Sequence, residues 1–89
     1  MTIHSMKLKD EFFDAVQCGM KNFEVRYDDR GFRIGDIVEM KRTFDGLPPI
    51  DDDEVIKRRI VYILRHEDFP DALKEGYVVL GLSPMEVSG

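Results

Sequence analysis

Residues 10–27, DEFFDAVQCGMKNFEVRY, contain the change of hydrophobic period that decides the fold. Phe12, Ala15 and Val16 fall at i, i+3 and i+4, and Phe13 with Val16 widens the same stripe, which is helical spacing. Asp10 suits the N-cap, Glu11 suits the positive end of the helix, and Gly19 suits the C′ position that stops it. A short helix buried on one side is predicted over 10–18. From Lys21 the period drops to two, with Phe23, Val25 and Tyr27 alternating with Asn22, Glu24 and Arg26. The apolar series is predicted to face the core, leaving Glu24 and Arg26 together on the opposite face.

Working outward, IHSMKL (3–8) alternates weakly and reads as an opening strand. Asp28-Asp29-Arg30-Gly31 is a turn, and Phe32 to Asp36 leads into a strand at IVEMKR, 37–42. VIKRRIVYILR (55–65) is the strongest β signal, predicted to put Ile56, Ile60, Tyr62 and Leu64 on one face and Val61 and Ile63 on the other. Residues 66–75 contain Pro70 and are expected to form a loop with a helical turn around 71–74, before the apolar strand YVVLGL, 77–82. Between the third and fourth strands lies FDGLPPIDDDE (44–54). Its two prolines cannot donate to a ladder and its consecutive acids repel, so an exposed loop is expected. Residues 84–89 are expected to be a flexible tail. The order β-α-β-β-β-(short α)-β predicts a mainly β, α+β domain, a small twisted sheet curled into a partly open barrel.

The whole chain of 89 residues fits one domain, 1–89, and 43% hydrophobic residues suffice for a packed core. A single cysteine, Cys18, excludes an intramolecular disulfide framework and points to a reducing compartment. No apolar run approaches the ~20 residues that span a bilayer, and MTIHSMKLKDEF has no signal-peptide core, so a cytoplasmic protein is expected. With 13 Lys+Arg against 18 Asp+Glu the net charge is −5, which excludes a uniformly basic nucleic-acid binder. The charge is uneven, however. Lys57, Arg58, Arg59 and Arg65 stand in a strand without acids, directly after Asp51, Asp52, Asp53 and Glu54. Outside that acidic loop the chain is nearly neutral, so the sheet can present a basic face, while the loop can meet a basic protein partner. Mixed charge on a strand is also the ordinary composition of a solvated surface, and Arg58, between Ile56 and Ile60, can cover apolar surface with its stem.

Motifs for other chemistry are absent. There is no GxxxxGK[ST] or GxGxxG, no HExxH, and no glycine elbow around Ser5, Ser83 or Ser88. Neither cofactor nor metal is expected. Phe12 and Phe13 read as core, and Cys18 as an inert, partly buried thiol.

Three segments together resemble a known family: HSMKL, then GMKNFEVRYDDRGFRIGD, then IVYIL followed by EGYVVLGL. They are similar to the ASCH (activating signal cointegrator homology) domains, and within them to a small bacterial and phage branch described as RNA-binding ASCH-like proteins. The resemblance covers residues 3–82 and centres on a GxKxxExR core, here Gly19, Lys21, Glu24 and Arg26. It implies the fold of pseudouridine synthase and archaeosine transglycosylase (PUA) domains, a barrel with a helix after the first strand. It also implies a cleft beside that helix that accepts RNA or a nucleotide, lined by Lys21, Glu24 and Arg26, with Arg30 in the following loop. Lys21 and Arg26 suit phosphate, Glu24 can orient Arg26 or accept from a base amine, and Gly19 lets backbone approach closely. Tyr27, Tyr77 or Phe32 can stack an unpaired base at the mouth. Some proteins of similar fold are amidohydrolases that deacylate N4-acetylcytidine through a threonine three residues after the lysine. Here that position is Glu24, Asn22 replaces a threonine expected after the lysine, and Thr43 lies outside the motif. As an enzyme this chain would have to work with Lys21 and a Glu24-activated water.

Overall fold

The computed structural model describes residues 1–44 and 55–87. The acidic stretch Asp51 to Glu54, expected as a partner surface, lies outside the described residues. β1 (Ile3–Lys9) runs without a loop into α1 (Asp10–Gln17), followed by β2 (Phe23–Tyr27), β3 (Ile37–Thr43) and β4 (Val55–Arg65). A 3₁₀ turn at His66–Asp68 then precedes β5 (Tyr77–Leu82). The five strands form one sheet in the order β1-β3-β4-β5-β2, with β1 and β3 parallel and the other neighbours antiparallel. The sheet curls until its two edge strands, β1 and β2, face each other, which gives the expected mainly β pseudo-barrel. Its interior holds Met6, Leu8, Val38, Met40, Ile60 and Leu80, and Phe13 and Val16 of α1 pack into the same cluster.

Several sequence expectations change in detail. β2 is inside out: Phe23, Val25 and Tyr27 are 46, 51 and 57% exposed, while Glu24 is buried and Arg26 half-buried. The reason is that the inner side of this edge strand meets cationic side chains rather than apolar ones. In β4, Ile60 pairs with Leu82 and Tyr62 with Gly81, so Val61 is an extra residue in a bulge. That slip sends Ile63 into the core and leaves Tyr62 outside. A 3₁₀ turn forms at His66–Asp68, where the Asp68 carboxylate accepts from the Arg65 N–H at 2.8 Å, and the expected turn follows it, closed by the Leu73 N–H on Phe69 O at 3.0 Å. Asp10 is the first helical residue instead of the N-cap, because β1 enters the helix directly and the Asp10 carboxylate pairs with Arg42 of β3. Phe12 is 40% exposed, and the Cys18 thiol is exposed.

The basic run of β4 does not form a basic face. Alternation turns Arg58 inward beside Ile56 and Ile60, and Arg59 donates to the Gly35 carbonyl at 2.8 Å. The segment after β5 lies along β4: Ser83 N–H donates to Arg59 O at 2.9 Å, and Val87 N–H to Lys57 O at 3.0 Å. From it, Glu86 accepts from the Lys57 N–H and pairs with the buried Arg58 guanidinium.

Candidate functional site

An edge strand leaves alternate backbone carbonyls without a ladder partner. On β1 two such carbonyls, of Ser5 and Lys7, are met by side chains from the opposite edge. Arg30 Nη1 donates to Ser5 O at 2.6 Å and Arg26 Nη2 to Lys7 O at 2.7 Å. Two residues along a strand is about 6.6 Å, so the two guanidinium groups lie one pleat repeat apart along the seam. The barrel is therefore closed by single arginine hydrogen bonds where a backbone ladder would otherwise run.

Lys21 is delivered to the head of this seam by the end of α1. Gly19, at φ +85°, forms a Schellman motif in which Met20 N–H reaches Ala15 O at 3.0 Å and Gly19 N–H reaches Val16 O at 3.1 Å. Lys21 N–H adds a further bond to Ala15 O at 2.9 Å. A Cβ at Gly19 would meet nothing within 4 Å, so within the protein the left-handed backbone, not close approach, requires the glycine. The Lys21 ammonium donates to Phe23 O at 2.8 Å and to Glu24 Oε1. The other carboxylate oxygen, Oε2, lies 3.4 Å from Arg26 Nη2. Glu24 is only 4% exposed, and a carboxylate so desolvated needs opposite charge beside it. Lys21 and Arg26 together supply more than one, which leaves the three-residue cluster cationic.

Two aromatic rings flank the lysine. Its Nζ lies 5.2 Å from the Phe12 centroid and 4.9 Å from the Phe23 centroid, and Lys9 Nζ lies 6.0 Å from the Phe12 centroid. The structure thus brings Lys21, Glu24 and Arg26 into one cluster. Arg30 joins the same seam through Ser5, with Asp29 at 3.6 Å, but does not touch Glu24. The sequence does not single out Lys7, Lys9 or Phe23 for this cluster, and it assigns Phe12 to the core, whereas the ring is 40% exposed. The lysines were legible as the outward residues alternating with buried Met6 and Leu8, whereas Phe23 was hidden by the inversion of β2. Phe32 is buried edge-on against His4 at 4.7 Å and offers no face to a base, while Tyr27 and Tyr77 are exposed and pair at 5.4 Å.

Two carboxylates, buried Asp36 and part-buried Asp28, hold the loop that carries Arg30. Burial opposes the charge on Asp28, but the N–H groups of Phe32, Gly31 and Arg30, with Arg65 nearby, outweigh it and lower its pKa. Asp36 is held below its ordinary pKa by its hydrogen bond with His4 (2.9 Å), then by the Thr2 N–H, against the cost of burial. Beside Asp28 a cleft of about 170 Å³ opens between Arg65, His66 and Tyr77. The Thr43 hydroxyl is buried and donates to Leu8 O at 3.3 Å. Among the described residues no cluster of three His, Cys, Asp or Glu side chains is placed to hold a metal, and no helix is long and apolar enough to cross a membrane.

The chemistry available at the seam is that of ammonium and guanidinium donors beside aromatic faces, with one buried acceptor. A family model described as "Domain of unknown function (DUF3850)" matches residues 3–82, and the chain belongs to that family. Among solved structures it is similar to the crystal structure of hypothetical protein PH0355, at 18% identity over 94% of this chain and 100% of that chain, with a TM-score of 0.59. That likeness concerns the fold. No curated protein matches the sequence.

Proposed function

We propose that this chain is an ASCH-type RNA-binding domain, cytoplasmic and of bacterial or phage type, that takes RNA or a nucleotide along the β1–β2 seam through Lys21, Glu24, Arg26 and Arg30. The observation that carries the reading is the convergence of Lys21 and Arg26 on buried Glu24 at an edge-to-edge seam, with Phe12 and Phe23 half-exposed beside the lysine. Ammonium and guanidinium groups neutralise phosphate, Arg26 adds a planar fork, and the two rings offer apolar faces to a base. The acidic total does not oppose this, since charges beyond about 8–10 Å are largely screened at physiological salt.

Fluorescence anisotropy of a labelled RNA across a salt series tests the reading. Each phosphate neutralised contributes a slope of about 0.7–0.9 in log K against log salt. Reversing Lys21 and Arg26 together would strand a buried carboxylate, so the informative variants are Arg30→Glu and the paired Lys21→Met/Glu24→Gln. Arg30→Glu is expected to weaken binding and reduce the salt slope, and the paired variant, which leaves the net charge unchanged, to weaken binding through loss of the ammonium donor. Unchanged affinity in both would remove the seam from the account.

The contact between Lys21 and the buried Glu24 favours a second reading, a small amidohydrolase acting on an N4-acylated cytidine. Glu24 would activate water and Lys21 would polarise the acyl carbonyl. Chromatography after incubation with N4-acetylcytidine decides it: release of cytidine that Glu24→Gln abolishes supports this reading, and no turnover at high protein concentration rejects that substrate.

A further inference from the structure

The inverted strand leaves an unusual outer surface. The register aligns Phe23, Gly81 and Tyr62 in one row across β2, β5 and β4, then Val25, Val79 and Leu64, then Tyr27 and Tyr77. None of these residues is charged, and the four rings are between 38 and 57% exposed. A soluble surface scatters apolar residues singly; an ordered apolar patch marks a binding surface.

We infer that this face is a stacking platform for unpaired bases of single-stranded RNA whose phosphates follow the β1–β2 seam, an inference that rests on the reading above. Three observations select this occupant. First, Phe23 belongs to both surfaces: its ring lies on the outer face, and the Lys21 ammonium sits 4.9 Å from its centroid. A phosphate at Lys21 therefore sits within one nucleotide of a base on Phe23. Second, the rings lie at spacings that an extended single strand bridges with bases one or two nucleotides apart. Phe23 and Tyr27 are four residues apart, about 13 Å along the strand, and Phe23 and Tyr62 are two strands apart, about 9–10 Å. Gly81 stands between Phe23 and Tyr62, so no side chain separates those rings. Third, the patch is small for self-association. At ~200 Å² per aromatic side chain, four half-exposed rings offer on the order of 400 Å², against about 800 Å² per partner in a stable interface.

The test uses a fluorescein-labelled 12-nucleotide oligouridine and an abasic oligomer of the same length, titrated with the full chain at fixed low salt. The wild type is expected to prefer the oligouridine, and Tyr62→Ala to lose about tenfold for it while binding the abasic oligomer unchanged. Tyr62→Phe, which keeps the ring, is expected to restore the affinity. Tyr77→Ala provides a second lesion at the far end of the platform, with circular dichroism melting to confirm that each variant folds. Equal wild-type affinity for both oligomers overturns the platform and leaves the seam standing. Binding to neither oligomer overturns the seam reading and the platform with it. A dimer in sedimentation velocity that Tyr62→Ala dissociates assigns the face to a second copy of the chain and likewise overturns the inference.

Discussion

At Glu24 a carboxylate with 4% exposure is sandwiched between Lys21 and Arg26, and its neighbours depend on it as much as it depends on them. Removing one partner of a buried pair strands the other, at several kcal/mol, whereas removing both is far milder. Lys21→Met is expected to cost about 2–4 kcal/mol in urea unfolding, moderated because Arg26 remains beside Glu24. Adding Glu24→Gln should recover most of the loss, and a double mutant no better than the single would show that the pair is not coupled. Asp36 and Asp28 give a second residue-scale expectation. Both pKa values are lowered in the folded protein, so the unfolded chain takes up protons first as acid is added. Their contribution is complete above the ordinary aspartate range near pH 4 and is lost as pH falls through the lower, folded values. The urea midpoint should therefore drop steeply below about pH 4, and Asp36→Asn should flatten that drop.

At the scale of the elements, the period of the sequence gives the helix, the five strands and their order, because a change from 3.6 to 2 is visible in residue types alone. It also places Glu24 and Arg26 on one face. Which face turns inward was not legible, because the usual rule assigns Phe23, Val25 and Tyr27 to the core. The rule is overridden because buried Glu24 is paired with Lys21 and Arg26 on the inner side, and the β1 partner of Arg26, the Lys7 carbonyl, is far away in sequence. The Val61 bulge was hidden for a similar reason: a run apolar on both sides has no alternation to break. Gly19 could be read correctly because a helix stop is a local event. Gly19→Ala is expected to cost about 1–2 kcal/mol through the left-handed backbone alone, since a Cβ there meets nothing. Gly76→Ala should cost more, because the same strain is joined by a Cβ placed 2.6 Å from the Tyr27 ring. Equal thermal melting shifts for the two would contradict this.

For the molecule as a whole, two long-range arginine contacts hold the chain together where the sheet does not. One is the seam, closed by Arg26 and Arg30 on β1. The other joins the segment after β5 to the core through Glu86 and Arg58, a guanidinium held below its usual pKa by burial. Arg58 Nε has no hydrogen-bond partner among the described residues, so Glu86 carries much of the compensation for that buried charge. Because Glu86 is itself half-exposed, Glu86→Ala is expected to cost about 1–3 kcal/mol, less than a fully buried pair. Arg58→Met in the same background should return part of it. The seam matters most, since it is both the last closure of the barrel and the proposed track for phosphate. Amide chemical-shift mapping of ¹⁵N-labelled protein titrated with single-stranded RNA tests that claim most directly. The account predicts the largest shifts at Ser5 to Lys9, Lys21 to Arg26 and Arg30, diminishing as salt is raised. Shifts confined to other strands, or a spectrum that RNA leaves unchanged at low salt, would contradict it.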